Sequence, residues 1–200
     1  MIVEDAKLHT KKPDIMRAAL KLFVDKGIDG TTIRDIAQEA EVGEGTLYRH
    51  FKSKEELAWQ LFYQNLQRFT LEVRQQVDEA SGDCRSKIRA AVNAYLEFAE
   101  KNPLLFSYLL LIEHTELKKF LYGVLRPKDI VVQLVEKGKN EGSFRQMDSQ
   151  LAGAMLVGMI LRVVMFKREG LITAELTDLV DEVAAGCCRV VAKEPWDQSL

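Results

Sequence analysis

Apolar residues recur every three to four positions along most of this chain, which is the spacing that brings side chains onto one face of an α-helix. Near the N-terminus the spacing predicts a first helix that has Pro13 near its start and ends at Gly27. Its buried face is predicted to consist of Ile15, Ala18, Ala19, Leu22 and Phe23. No segment alternates apolar and polar residues for long enough to predict a strand. The pattern therefore predicts an all-α fold.

Two short helices are predicted next. Thr32 and Asp35 have the spacing of a capping box, in which each side chain bonds the backbone amide of the other residue. Gly43 can cap the following helix, where Leu47 and Phe51 lie one turn apart on the predicted buried side. The two segments form a helix, a tight turn and a second helix.

A second capping box, 53–56, opens a much longer helix that ends at the break 81–83. Because three short helices give way here to several long ones, we predict a domain boundary near residue 54. The predicted domains are 1–54 and 55–200. The smaller domain buries little apolar surface alone, so we expect the fourth helix to belong to both.

Further helices are predicted by apolar spacing between glycine and proline breaks. The segment 104–112 is apolar on all sides and is expected to be deeply buried. Asp148 or Ser149 caps a helix to about residue 168, and Thr173 caps a last helix to about residue 192. The apolar run 151–161 is too short to span a bilayer and is expected to be a buried helix.

The composition is typical of a folded globular protein, with 47% hydrophobic and 29% charged residues. The net charge of -2 gives no overall basic field, so a nucleic-acid partner would have to be bound by a local patch. Cys84, Cys187 and Cys188 are expected to be reduced thiols, which favours a cytoplasmic protein. The N-terminus lacks the apolar core of a signal peptide, and we expect no membrane partner.

The segment 43–57, GEGTLYRHFKSKEEL, combines small, aromatic and basic residues. A helix-turn-helix places its second helix in the DNA major groove, where Gly45 would allow close approach. Thr46 can contact a phosphate or a thymine methyl, and Tyr48 and His50 would flank the helix. A solvated charged turn is the alternative, but it explains only the charges and not the glycine, threonine and tyrosine.

The segment 30–62, GTTIRDIAQEAEVGEGTLYRHFKSKEELAWQLF, resembles the DNA-binding segment of TetR-family transcriptional regulators. The shared pattern is Thr-Ile-x-x-Ile-Ala, then Gly-Thr-Leu-Tyr-x-x-Phe and Lys-x-Lys-x-x-Leu. The resemblance covers roughly 11–62 in sequence and the remainder by helix layout only. It implies a three-helix helix-turn-helix domain joined to a larger helical domain that binds an effector and dimerises.

By this resemblance, the residues near DNA are Thr32, Arg34, Glu44, Gly45, Thr46, Tyr48, Arg49, His50 and Lys54. Tyr48 and Lys54 would mainly contact phosphates, and Glu44, Gly45, Thr46 and Arg49 would lie nearer base edges. Many family members have glycine where this chain has Glu41, and serine or threonine where it has Gly43. Glu44 would weaken DNA binding unless it accepts from a cytosine amino group.

The resemblance also implies a homodimer formed through the last two long helices. A small-residue surface of Ala152, Gly153, Ala154 and Gly158 would suit close helix approach, although packing within one chain is the alternative. A small, largely apolar effector would be bound by Tyr95, Phe98, Phe106, His114, Met155, Met159 and Arg162. Such aromatic and methionine residues are more often core, and the polar ones can instead pair internally.

These observations together predict a repressor that binds a palindromic operator as a homodimer and is released by its effector. An enzyme or a helical carrier with an accessory N-terminal module is the rival hypothesis. The three histidines (His9, His50 and His114) are scattered, and no arrangement of catalytic side chains is legible, which argues against an enzyme. We expect neither a cofactor nor a metal site.

Overall fold

The computed structural model describes residues 11–112 and 123–193, and within these ranges it contains helices and no strand. The helices are α1 (Lys12–Lys26), α2 (Ile33–Glu39), α3 (Glu44–His50), α4 (Lys54–Glu79), α5 (Cys84–Lys101), α6 (Pro103–Ile112), α7 (Pro127–Asn140), α8 (Ser149–Arg168) and α9 (Val180–Val191). A short 3₁₀ helix, Leu176–Leu179, precedes α9. The predicted all-α fold is confirmed.

The ends of the helices are fixed by residues close in sequence. Pro13 lies in the first turn of α1, and Gly27 ends that helix at φ 73°, a backbone conformation that favours glycine. The Asp83 carboxylate accepts from the Ser86 amide at 3.0 Å and caps α5. The Asp148 carboxylate likewise accepts from the Leu151 amide at 2.7 Å and caps α8. The two ends of α1 and the cap of α8 were predicted from the sequence, whereas Asp83 was predicted only as part of the break before α5.

The described residues divide into two compact units, and the first consists of 11–64 and 107–112. The Tyr108 ring stacks on Phe23 with centroids 6.0 Å apart, and its hydroxyl donates to the Ala58 carbonyl at 2.7 Å. Burial of the phenol raises the pKa of Tyr108 well above its ordinary value. The buried residues of α1 to α3 are Ile15, Ala18, Ala19, Leu22, Phe23, Ile36, Ala37 and Leu47.

The second unit consists of 65–106 and 123–193. Within it α7 packs on α8, and α5 packs on α9. Gly153 allows the close approach of α8 to α7, because a Cβ atom there would lie 2.4 Å from a Val132 methyl group. The division between the units falls between Gln64 and Asn65, inside α4. The predicted domains 1–54 and 55–200 stay a prediction.

The predicted start of the last helix is wrong. Thr173 does not cap it, because the chain first forms the 3₁₀ helix and α9 begins at Val180. The Glu100 carboxylate of α5 stabilises the start of this 3₁₀ helix. It accepts from the Leu176 amide at 2.6 Å and from the Thr177 hydroxyl at 2.7 Å. A partner more than 70 residues away in sequence therefore decides this boundary.

Two predictions of complete burial are also wrong. In α6, Leu104 and Leu111 are 38% and 36% exposed. In α8, Leu151 and Met155 are exposed, and the predicted small-residue surface is divided between two sides of the helix. Ala152 and Gly153 are buried, whereas Ala154 and Gly158 are exposed.

Helix α8 is also the one helix in the described ranges that is long and apolar enough to cross a membrane by length and composition. Its 20 residues exceed the 11-residue run seen in the sequence. Core helices share this composition, and here α8 packs against α7 and α9 of its own unit. Packing within the unit explains the buried apolar side of α8. It does not explain why the exposed side is apolar as well.

Candidate nucleic-acid interface and effector region

The turn between α2 and α3 is closed by two backbone hydrogen bonds around Glu41. The Val42 amide donates to the Ala37 carbonyl at 2.9 Å, and the Glu41 amide donates to the Gln38 carbonyl at 3.2 Å. This is a Schellman motif, in which the residue after the helix adopts a left-handed conformation. Glu41 does so, with φ 53°. The turn therefore holds α3 at a fixed angle to α2. Glu41 is destabilised in this turn, because a residue with a Cβ atom is strained in the left-handed conformation.

The predicted capping box at the start of α2 is confirmed. The Thr32 amide donates to the Asp35 carboxylate at 3.0 Å, and the Asp35 amide donates to the Thr32 hydroxyl at 3.1 Å. The Thr32 amide and hydroxyl hold the pKa of Asp35 below its ordinary value. Thr32 and Arg34 are exposed at this end of α2, so both remain accessible to a partner.

Helix α3 has a buried and an exposed side. Leu47 and Phe51 are buried, as predicted. Tyr48 is 53% exposed although it is a large aromatic residue, and Glu44 and Arg49 are also exposed. Thr46 and His50 are half-buried at the border between the two sides. The predicted DNA-facing residues of α3 thus share a surface that the chain itself leaves uncovered.

Gly45 also lies on this surface, and packing within the chain does not explain why this residue is a glycine. A Cβ atom at Gly45 would meet no atom within 4 Å, and its φ is not in the left-handed region. Glycine inside a helix costs about 1 kcal/mol relative to alanine. Packing within the chain therefore does not require glycine here, and the missing side chain leaves the start of α3 open to close approach by a partner.

Arg49 is oriented by a residue one turn earlier. Its Nη2 donates to the Thr46 hydroxyl at 3.0 Å. An arginine side chain held in this way loses less conformational entropy when it binds a base or a phosphate. This hydrogen bond therefore couples Thr46 and Arg49, two of the residues predicted near base edges.

The start of α4 is capped by a variant of the predicted box. The Glu56 amide donates to the Ser53 hydroxyl at 3.1 Å as expected. The Glu56 carboxylate, however, accepts from the Lys52 amide at 2.7 Å rather than from that of Ser53. Lys54 is half-buried, and its ammonium donates to the Thr31 carbonyl at 2.9 Å.

Three predicted effector residues meet in the core of the second unit. Tyr95, Phe98 and Phe106 surround Phe69, with ring centroids 4.9, 4.3 and 5.9 Å from the Phe69 ring. All four side chains are buried. Helical spacing alone does not predict this cluster, because it shows only that Phe69 is one of the regularly spaced apolar residues of α4.

The other predicted effector residues lie elsewhere. Met159 and Arg162 line an open groove of about 510 Å³ between α8 and α9, where Val163, Phe166 and Val183 supply apolar walls. The Arg162 guanidinium lies over the Phe166 ring, 4.7 Å from its centroid. Met155 is exposed on α8, and His114 lies outside the described residues. The described members of the predicted set therefore form two groups, not one pocket.

A smaller cavity of about 140 Å³ links the aromatic cluster to charged residues that the sequence reasoning missed. Phe106 and Val164 are among its apolar lining residues, and Glu100, Lys167, Arg168 and Glu175 are its charged ones. The charged residues come from α5, from α8 and from the link after α8, and only the packed fold brings them together. In the described ranges, no group of three or more histidine, cysteine or acidic side chains could hold a metal ion.

Residues 15–61 match the family model of bacterial regulatory proteins of the tetR family. The uncharacterized HTH-type transcriptional regulator YerO of Bacillus subtilis is 26% identical over 196 residues, which cover 91% of this chain and 67% of that protein. Relatives of this kind are transcriptional regulators and not enzymes.

Two solved structures share both fold and sequence with this chain at 26% identity. The fatty acid degradation regulator FadR from Bacillus halodurans has a TM-score of 0.74, with 88% of this chain and 94% of that chain covered. A tetR family protein from Shewanella sp. PV-4 has a TM-score of 0.75, with 93% and 100% covered. With its helix-turn-helix and the match over that segment, this chain belongs to the TetR family of transcriptional regulators.

Proposed function

We propose that this regulator is a repressor that binds a palindromic operator as a homodimer and leaves it when a small, largely apolar effector binds. The observation that carries the DNA-binding part is the exposed side of α3. It presents Tyr48 and Arg49 beside Gly45, a glycine that nothing inside the fold requires. A surface free of side-chain bulk at a helix start is what a major-groove contact needs.

The proposed contacts divide into positioning and base-reading residues. Tyr48 and Thr32 are assigned to phosphates, and Arg49 with Thr46 is assigned to a base edge. Arginine binds guanine through two parallel hydrogen bonds, for which the bond from Thr46 orients the side chain. Glu44 is exposed at the start of α3, where a carboxylate can accept from a cytosine amino group. Phosphate contact by Lys54 stays a prediction.

The proposed dimer interface is the exposed side of α8 together with α9. The regulators of this family act as dimers. Here α8 exposes Leu151, Met155 and Met165, and the α8–α9 groove is largely apolar. Removing these exposed apolar side chains from water would stabilise a dimer in which a second copy covers them. A symmetric contact through two helices from each copy would form a four-helix bundle.

The proposed effector is apolar because the larger unit offers aromatic and aliphatic surface, with charged groups beside the smaller cavity. The similarity to a fatty acid degradation regulator favours an acyl compound. We therefore choose long-chain fatty acids and acyl-coenzyme A thioesters as the first probes. Lower operator affinity in the presence of one of them would support release by an effector.

The DNA-binding proposal is tested by the affinity for random duplex DNA across a salt series. Binding should weaken as salt rises, with a slope of about -0.9 for each phosphate contact. Tyr48→Ala should weaken binding to every sequence to a similar degree, whereas Arg49→Ala should change which selected operator is preferred. Tyr63→Ala is the control, because it removes another exposed aromatic ring from the same unit. Absence of binding at low salt would refute the proposal.

The dimer proposal is tested by Gly158→Glu, with the mass measured by light scattering. A Cβ atom at Gly158 would meet no atom within 4 Å and the position is exposed, so a single copy should fold normally. In the proposed dimer, the new carboxylate would be buried without a partner, and a monomer is expected. Leu71→Glu on α4, at a site that is 67% exposed, is the control and should stay dimeric. A dimeric Gly158→Glu protein would refute this interface.

A further inference from the structure

The exposed side of α8 forms a regular row of apolar residues and glycine that one charged residue interrupts. Its members are all exposed and follow one another at alternating intervals of four and three residues: Leu151, Met155, Gly158, Arg162 and Met165. This is the spacing of a contact row between two helices. A charged residue in such a row weakens helix association unless an opposite charge pairs with it, and it then fixes the register of the helices. Arg162 therefore needs a carboxylate if a second copy covers this side of α8.

The opposite charge lies on α9, in the same groove. Arg162 and Glu182 are the charged residues among those that line the groove between α8 and α9, and the others are apolar or glycine. Both side chains are exposed. Within the described ranges neither forms an ion pair, and the Arg162 guanidinium contacts the Phe166 ring, 4.7 Å from its centroid. A single copy thus presents an accessible cation and an accessible anion on one apolar surface.

Such a surface is electrostatically complementary to itself. When a two-fold axis relates two copies, a residue that meets a second residue of the other copy is itself repeated, so the contact occurs twice. A cation and an anion at separate positions then give two equivalent ion pairs, whereas a surface with charges of one sign would repel its own copy. The presence of both signs in the groove therefore favours a second copy of this chain as the molecule that covers it.

We propose that Arg162 on α8 of each copy forms an ion pair with Glu182 on α9 of the other copy, and that these two symmetric ion pairs fix the register of the dimer. The pairing rests on the proposed function, because it exists only in the proposed dimer. It assigns Arg162 to the interface rather than to the effector. The neighbouring acid Asp181 is the contrasting case, since it already pairs with Arg89 of α5 in its own chain.

The experiment uses the charge-reversal variants Arg162→Glu and Glu182→Arg of the full chain, each alone, mixed in equal amounts, and combined in one chain. Sedimentation equilibrium gives the dissociation constant of the dimer. Native mass spectrometry, with an affinity tag on one variant, separates heterodimers from homodimers. Arg89→Glu is the matched control, because it reverses an exposed arginine of the same unit whose partner lies in its own chain.

Each variant alone places like charges opposite each other at both symmetric contacts. We expect its dissociation constant to rise on the order of a hundredfold, since like charges across an interface are strongly unfavourable. The mixture should form a heterodimer with about the wild-type affinity, because both contacts then join opposite charges. The combined variant should form a homodimer for the same reason, and Arg89→Glu should keep the wild-type dissociation constant. If a single variant unfolds as a monomer, the mixture still tests the pairing, because only the heterodimer restores both ion pairs.

Three results would overturn the pairing alone. A homodimer of the combined variant without a heterodimer in the mixture would show that Arg162 and Glu182 pair within one chain. A heterodimer of Arg162→Glu with wild-type protein that is tighter than the wild-type homodimer would place Arg162 opposite Arg162 of the other copy. Wild-type affinity in both single variants would remove the two residues from the interface.

Failure of the proposed dimer gives different results. A monomeric wild-type protein, or a dimeric Gly158→Glu protein, would refute the proposed interface and the ion pairs together. A dimeric wild-type protein with a monomeric Gly158→Glu variant would support the interface, and the charge-reversal mixture then decides the pairing by itself.

Discussion

Glu41→Gly is predicted to stabilise the helix-turn-helix unit. Glu41 has φ 53°, and left-handed backbone costs a residue with a Cβ atom roughly 1–2 kcal/mol. Glycine removes that cost but gives the unfolded chain more freedom, which takes back roughly 0.5–1 kcal/mol. The side chain is exposed, so little packing is lost. The expected net gain in the free energy of unfolding is about 0.75 kcal/mol, which is the difference between the midpoints of these two ranges.

The measurement is urea denaturation followed by the fluorescence of Trp59, in a Trp196→Phe background so that one tryptophan reports. Trp59 lies in α4 within the same unit as the turn. Glu41→Ala is the control, because it removes the same carboxylate and keeps the Cβ atom. It should not share the gain. An equal gain in both variants would assign the effect to charge, and no gain in Glu41→Gly would show that the backbone at this turn is not strained.

Three further predictions concern other sites. Gly45→Ala should raise the free energy of unfolding by about 0.5–1 kcal/mol and weaken operator binding in a fluorescence anisotropy assay; tighter binding would contradict a close approach of DNA. Gly138→Ala should lower thermal stability by about 1–3 kcal/mol, because the new methyl group would lie 2.1 Å from the Phe144 ring, and an unchanged melting curve would contradict this packing. Burial raises the pKa of Cys187 to about 12, so its thiolate is scarce below that pH, and mass spectrometry should find it unalkylated by iodoacetamide at pH 8 until the protein is unfolded.

Local signals in the sequence determined most helix boundaries. A cap and the amide it binds are three residues apart, as for Thr32 with Asp35 and Asp148 with Leu151, so a short segment contains both partners. The same holds for the inward side of α3, where Leu47 and Phe51 are one turn apart. Such features follow from spacing and residue type alone, and the helix-turn-helix could therefore be predicted with its exposed residues.

Only the tertiary structure decided which neighbours meet. The bond from Lys54 to the Thr31 carbonyl spans 23 residues, and the bond from Glu100 to the Leu176 amide spans 76. Apolar spacing shows that a helix side is hydrophobic, but the residues that cover it come from other helices. For this reason the sequence grouped Gly153 with Gly158, and the fold buried the first against Val132 and left the second open. Long-range packing, rather than helix propensity, makes that difference.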